Sequence, residues 1–309
     1  MLLCLAAGVS VAQSYPARPI KLVVPYGPGS SPDSVGRIVA QQMQEALHQP
    51  VVVANISGAL ANVGTAEVAR AAPDGYTILL TTNTPHAANV ALFKSLPFDP
   101  IKDFAPIVRL ITTSMVLLVR SDFPASTLQE FIAHAKAKPG GLSAGYGSAA
   151  TIVSIAKLRS AAGFKTLDVP YKGVPLAITD VLGGQVDFTL GDLAVSMPQI
   201  QGGKMKGLAV TSPRRSPLAP GLPAIAETFP GFETRIWYGL VAPANTPKPI
   251  VAKLHQVVAA SLDKPDVKGR LAGLGLEPAP MPPEEFADFI KQEIAKWTRE
   301  IREAGIQPE

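Results

Sequence analysis

Residues 20–39, IKLVVPYGPGSSPDSVGRIV, decide the fold. The apolar run Ile20 to Val24 predicts a buried strand, and a loop rich in glycine and proline follows it from Pro25 to Asp33. Val35, Ile38, Val39, Met43 and Leu47 then recur at helical spacing, with Ser31 the expected N-cap and Pro32 at the first helical position. A strand that passes through a glycine loop into a helix is the repeating unit of an α/β protein with a largely parallel sheet.

The same alternation continues outward. Strands are expected at Val51 to Asn55, Thr77 to Thr82, Ile107 to Ile111 and Met115 to Val119, and a second helical stripe begins at Val63, Ala66 and Ala69. Ser126 and Gln129 form a capping-box pattern ahead of a helix carrying Leu128, Phe131, Ile132 and Ala135, which Gly140 and Gly141 end. Further strands are expected at Leu142 to Ala144, Leu167 to Val169, Val186 to Leu190, Leu208 to Thr211 and Trp237 to Val241. Two helical patterns, Ile250 to Leu262 and Pro283 to Ala304, close the chain.

With 309 residues, the chain is too long for the commonest single-domain size, and two lobes are the natural expectation. The segment Ser212 to Phe232 is loaded with Pro and Gly, so the chain is expected to return there to its first lobe. The expected division is residues 13–119 plus 237–309 for one lobe and 120–236 for the other. Hinge crossings are expected near Leu118 to Ser121 and Arg235 to Tyr238.

A net charge of +4 mildly favours anionic partners, but the positive residues form no run and no aromatic interleaving, which argues against nucleic acid. The first twelve residues carry no charged side chain, and Ser10 and Ala12 occupy the small positions before an expected export cleavage after Ala12. The missing basic n-region suggests a true start further upstream. Cys4 is the only cysteine and would leave with that signal, so neither a disulfide nor a cysteine metal site is expected.

The loop at Tyr26, Gly27, Pro28, Gly29, Ser30 and Asp33 presents free amides at a helix N-terminus, where the positive end of the dipole favours a carboxylate or phosphate. It is not a Walker loop, since GxxxxGK(S/T) is absent, nor a dinucleotide fingerprint, since Pro32 stands where a third glycine would be. The construction recurs at Asn55 to Gly64, which holds Asn62, and at Thr82 to His86, which holds Asn83. It recurs again at Tyr146 to Thr151, with Ser148, Ala149 and Thr151, and at Tyr171, Lys172 and Gly173. Loops after the carboxyl ends of strands gather at one edge, so together they describe a cleft. Lys172 is read either as a cleft charge or as a solvated lysine. Asp192 is read either as an acceptor for a ligand hydroxyl or amine or as a helix N-cap. Catalytic signatures are lacking: HExxH and GxSxG are absent, the four histidines are dispersed, and His86 alone falls in a cleft loop, where recognition or structure is the expected role.

Six separated segments carry a family resemblance: YPARPIKLVVPYGPGSSPD, ARAAPDGYTILLTTN, LPFDPIKDFAPI, VPYKGVPLAITDVLGGQVDF, KGLAVTSPRRSP and PANTPKPIV. In this order, from about Tyr15 to Ile306, the chain resembles the substrate-binding proteins of tripartite tricarboxylate transporters, also called the Bordetella uptake gene-product family. The resemblance implies a periplasmic-binding-protein type II fold, two α/β lobes with a central ligand cleft and two hinge crossings. It also implies a carboxylate held largely by backbone amides and bridging water, membrane transporter subunits as partners, and no cofactor.

The family's signature loop maps onto Tyr26, Gly29, Ser30 and Asp33, with Ser30 in place of a second glycine. In the loop Asn55 to Gly64, Ile56 replaces an arginine and Leu60 and Ala61 replace two glycines. Ile152 and Val153 stand where small polar residues are usual. These departures point away from a small, highly polar acid and towards an apolar or aromatic body with one or two carboxylates. Delivery to a transporter and signalling to a membrane sensor kinase both use the closed lobe surface, so both readings stand. An α/β hydrolase or lyase is a third reading, without an activated nucleophile to support it. A monomer in the periplasm is expected.

Overall fold

A computed structural model describes residues 15–308. The expected export segment, residues 1–12 with Cys4, lies outside the described residues. The chain is α/β, as the alternation requires. Strand β1 (Ile20–Val24) pairs in parallel with β2 (Val51–Asn55) and β3 (Thr77–Thr82), and the crossovers carry α1 (Ser31–Leu47) and α2 (Asn62–Ala69). A π-helical turn at Thr84–Ala88 and a short α3 (Asn89–Leu92) follow β3.

Strand β4 (Phe104–Arg120) is a single strand of 17 residues where two were expected. Thr112, Thr113 and Ser114 read as a break because they are polar, yet they stay extended and pair with Trp237, Ile236 and Arg235 of β9 (Arg235–Pro243). From Met115 onward β4 exchanges this partner for β7 (Phe188–Asp192) and β8 (Met205–Val210), all antiparallel. The exchange at Ser114 and Met115 precedes the crossing expected at Leu118 to Ser121. Leu118 and Val119 are buried strand interior, Arg120 ends β4, and Ser121 lies just beyond it.

Beyond β4 come α4 (Leu128–Ala137), β5 (Leu142–Tyr146), α5 (Ala149–Ala162), β6 (Thr166–Pro170) and α6 (Val174–Leu182). Strand β5 runs parallel to β6 and β7, and α7 (Leu193–Gln201) links β7 to β8. After β9 the chain closes with α8 (Lys248–Leu262), α9 (Pro265–Gly273), β10 (Glu277–Met281) and α10 (Pro283–Glu303). One curled ten-stranded sheet results, ordered β2-β1-β3-β9-β4-β7-β5-β6, with β8 and β10 also on β4.

Strand β4 is buried on both faces. Met115, Leu117 and Val119 join the main core, whereas Val116 and Leu118 face a second cluster with Ile178, Val181 and Leu193. That period of two is what a strand packed on both sides demands. Two helix starts differ from expectation. Ser30, not Ser31, is the N-cap of α1, and Thr127, not Ser126, caps α4, with Glu130 reaching back to the Ser126 amide at 2.6 Å.

Candidate functional site

The carboxyl ends of β1, β3, β5, β6 and β7 open on one cavity of about 310 Å³. Its wall takes residues from the first turns of α1, α5, α6 and α7 or from their N-caps, so four helix N-termini converge on one space. Each brings the positive end of its dipole, which makes the space suited to an anion.

The α1 side is braced from behind. Ser30 Oγ donates to Gly27 O at 2.7 Å and accepts from the Asp33 amide at 3.4 Å. The Asp33 carboxylate accepts from the Gly29 amide at 3.0 Å, from Arg37 Nε at 3.1 Å and from Asn55 Nδ2 at 2.9 Å. Burial alone would raise this carboxyl, but the three donors outweigh it and hold Asp33 below its ordinary value. Gly29 adopts φ +78°, the left-handed region that a turn of this kind needs.

Met115, Ile236 and Tyr238, near the place where the pairing of β4 with β9 ends, also line the cavity. The Tyr238 hydroxyl donates to Asp192 Oδ2 in a short contact. Burial raises the Asp192 carboxyl above its usual range while Tyr238 acts against it, and burial beside Asp192 sends the Tyr238 phenol well up. The Ser31 hydroxyl lies near this pair yet makes no full hydrogen bond, and Asn83 Nδ2 has no partner. Tyr26 and Thr82 share a hydrogen bond of 2.6 Å, and burial pushes the Tyr26 phenol up to about 12.

On the opposite side, Ser148 caps α5 by accepting from the Thr151 amide at 3.2 Å, and Thr151 Oγ1 donates to Leu190 O at 3.2 Å. The β5–α5 and β6–α6 turns touch through glycine. A Cβ on Gly147 would lie 2.2 Å from the Gly173 carbonyl carbon and 2.4 Å from Val174 N. Val174, Pro175, Leu176 and Val195 supply an apolar wall, and exposed Lys172 sits at the rim.

Residues 35–306 match the family described as the tripartite tricarboxylate transporter family receptor. This chain belongs to that family. BugT of Bordetella pertussis (strain Tohama I) is 34% identical over 98% of this chain and 94% of its own length. A solved periplasmic binding protein, BugD, superposes with a TM-score of 0.90 at 35% identity, covering 96% of this chain and 100% of BugD. An R. palustris protein solved with adipate gives a TM-score of 0.93 at 32% identity, again covering 96% of this chain and 100% of the other. The receptor is therefore a periplasmic-type solute-binding protein with the two-lobed fold of these neighbours, not an enzyme.

Of the residues expected at the ligand, this receptor places Tyr26, Gly27, Pro28, Ser30, Thr82, Asn83, Ser148, Thr151, Lys172, Gly173 and Asp192 on the cavity wall. Others lie off it for identifiable reasons. Gly29 and Asp33 brace the loop, and Ala149 is buried in the first turn of α5. Tyr171 donates its hydroxyl to Asp180 at 2.7 Å. Leu60 and Ala61 occupy the left-handed region beside α2, and Asn62 accepts from Asn89 at 2.7 Å. His86 is fully buried in the π-helical turn. The apolar character inferred from Leu60, Ala61, Ile152 and Val153 enters the wall elsewhere, from the first turn of α6 and from Ile236. Met115 and Tyr238 line the cavity without having been expected there, while Ser31, Ser57, Thr84 and Gly147 come from the expected loops without having been singled out. For Tyr238 the available signal was a tyrosine inside an otherwise apolar strand, whose hydroxyl must find a partner when buried.

Proposed function

We propose that this receptor captures a small organic carboxylate with an apolar or aromatic body and delivers it to the membrane subunits of a tripartite tricarboxylate-type transporter. The observation that carries the reading is the convergence of four helix N-termini on one cavity whose lining also includes the apolar side chains of Val174, Pro175, Leu176, Val195 and Ile236. Amides hold the carboxylate, and the wall removes the ligand's apolar surface from water. The adipate bound by the R. palustris neighbour is an acid with such an apolar chain.

In this reading the two lobes, expected to divide at 119/120 and 236/237, divide a few residues earlier, where β4 changes partners and where β9 begins. The partner exchange of β4 at Ser114 and Met115, and the start of β9 at Arg235, support a hinge at those two places. Closure traps the ligand between loops of both lobes. The protein acts as a monomer in the periplasm, exported by residues 1–12.

A thermal-shift screen against dicarboxylates, tricarboxylates and aromatic acids tests the ligand class, because a ligand that prefers the native state raises the melting temperature. A shift with acids bearing an apolar or aromatic body is expected. Tight citrate binding with no response to aromatic or aliphatic acids would sink the refinement. Deleting the gene should abolish uptake of the acid so found, and unimpaired uptake refutes the transport role.

A further inference from the structure

We infer that the ligand carries, away from its carboxylate, an O–H or N–H group that donates to Asp192, so that the two poles of the cavity recognise opposite chemistry. This deepens the carboxylate reading and rests on it. Asp192 ends β7 and occupies the N-cap position of α7, yet its side chain makes no capping hydrogen bond. It bonds instead to the Tyr238 hydroxyl, and the residue, 9% exposed, lines the cavity. Among the described residues no lysine, arginine or histidine figures among the groups acting on it. Lys172, the cationic side chain of the wall, is exposed at the rim.

An acid without a counter-cation sits here among positive helix ends that favour its ionised form, so a second ligand carboxylate beside it would meet a like charge in a water-poor space. A ligand donor removes the conflict, because Asp192 has acceptor capacity beyond the one bond from Tyr238. Two further groups fit the same ligand end. Asn83 Nδ2 is buried, unpartnered and part of the cavity wall, and Ser31 Oγ, buried on the same wall beside Asp192 and Tyr238, makes no full hydrogen bond. They can donate to an acceptor on the group that donates to Asp192, and a hydroxyl or a carboxamide offers both functions. An ammonium offers the donor alone.

The test uses two chain lengths. Titration calorimetry compares hexanoate, ω-hydroxyhexanoate, ω-aminohexanoate, the monoamide of adipate and adipate itself, then the corresponding four-carbon acids. A donor-ended acid is expected to bind about ten-fold or more tightly than both the plain acid and the diacid of its length, since a site built to hydrogen-bond a group rejects analogues lacking it. The Asp192→Asn variant is expected to lose most of that preference and to gain affinity for the diacid. Should that variant fail to fold, Tyr238→Phe keeps the carboxylate and removes its protein donor, so the preference must persist or grow. A diacid that binds as tightly as the donor-ended acids, with a ratio unchanged in the variants, overturns the inference and leaves the carboxylate reading standing. Failure of every acid to bind overturns both. Which donor-ended acid binds best separates a hydroxyl or carboxamide from an ammonium.

Discussion

His86 is an ionisable side chain enclosed without any charged partner. Its ring is fully buried, shares a hydrogen bond of 2.6 Å with Thr81 through Nδ1, and packs edge-on against Phe104 with centroids 4.6 Å apart. Burial pushes its pKa down to about 3, because the imidazolium would lose its hydration. The unfolded chain restores an ordinary histidine, so above about pH 6.5 both states are neutral and His86 leaves stability unchanged. Below that, only the unfolded state takes up the proton, and stability falls by about 1.4 kcal/mol per pH unit until the folded pKa is reached. Urea titrations near pH 7, 6 and 5 should show His86→Gln losing this part of the slope, and identical slopes in both proteins would refute it. The residue also shows why part of the site escaped the sequence. Thr82 and Asn83 reach the cavity, whereas His86, three residues further on, turns into the core through a π-helical turn that no spacing rule announces.

Helix α10 is fixed to β9 by one carboxylate. Trp237 Nε1 and Trp297 Nε1 each donate to Glu293 Oε2 at 2.9 Å, and the Trp237 ring packs edge-on against Phe286 at 5.4 Å. Glu293→Leu leaves two buried indole N–H groups unpaired and should cost about 2–5 kcal/mol, whereas Glu293→Gln keeps an acceptor and should cost clearly less. Chemical denaturation of both variants checks the ranking, and equal losses would deny the hydrogen bonds their role. Contact between the β5–α5 and β6–α6 turns is just as specific. Gly147→Ala would drive a methyl group into the Gly173–Val174 backbone, which cannot rotate away, so the turns must part. Stability should fall by about 1–3 kcal/mol, and ligand affinity by about ten-fold, as calorimetry would record. A wild-type affinity would show that the turns do not shape the cavity. The alternation of strands and helices was legible because each unit carries its own periodicity and turn residues. The unity of β4 was not: its polar middle, Thr112 to Ser114, is explained by a change of partner, which is a property of the sheet and not of the strand. Strand β10, with sequence EPAPM, escaped because two of its five residues are prolines and its pairing with β4 is irregular.

Two lobes that close on a ligand need a joint strong enough to hold the fold and narrow enough to bend. At the proposed hinge both demands fall on Thr211. Its hydroxyl accepts from the Met115 amide at 2.9 Å, where β4 changes partners, and donates to Thr234 O at 2.8 Å, just before β9 begins. Fully buried, it ties the two crossing segments to each other. Thr211→Val preserves the shape and removes both bonds, leaving an amide and a carbonyl unpaired, at an expected cost of about 1–3 kcal/mol. The consequence for function depends on the state in which the tie matters. In the proposed closure a bound ligand bridges the lobes independently of Thr211, so the liganded protein should keep its compactness, whereas the free protein loses a restraint on opening. Small-angle scattering should therefore show a larger radius of gyration for free Thr211→Val than for the free wild type, and the same radius for both when saturated with ligand. Affinity should fall as the closed, binding-competent population falls, with the ligand's contacts unchanged. Equal radii in the free state, together with unchanged affinity, would place the pivot elsewhere along β4 and β9.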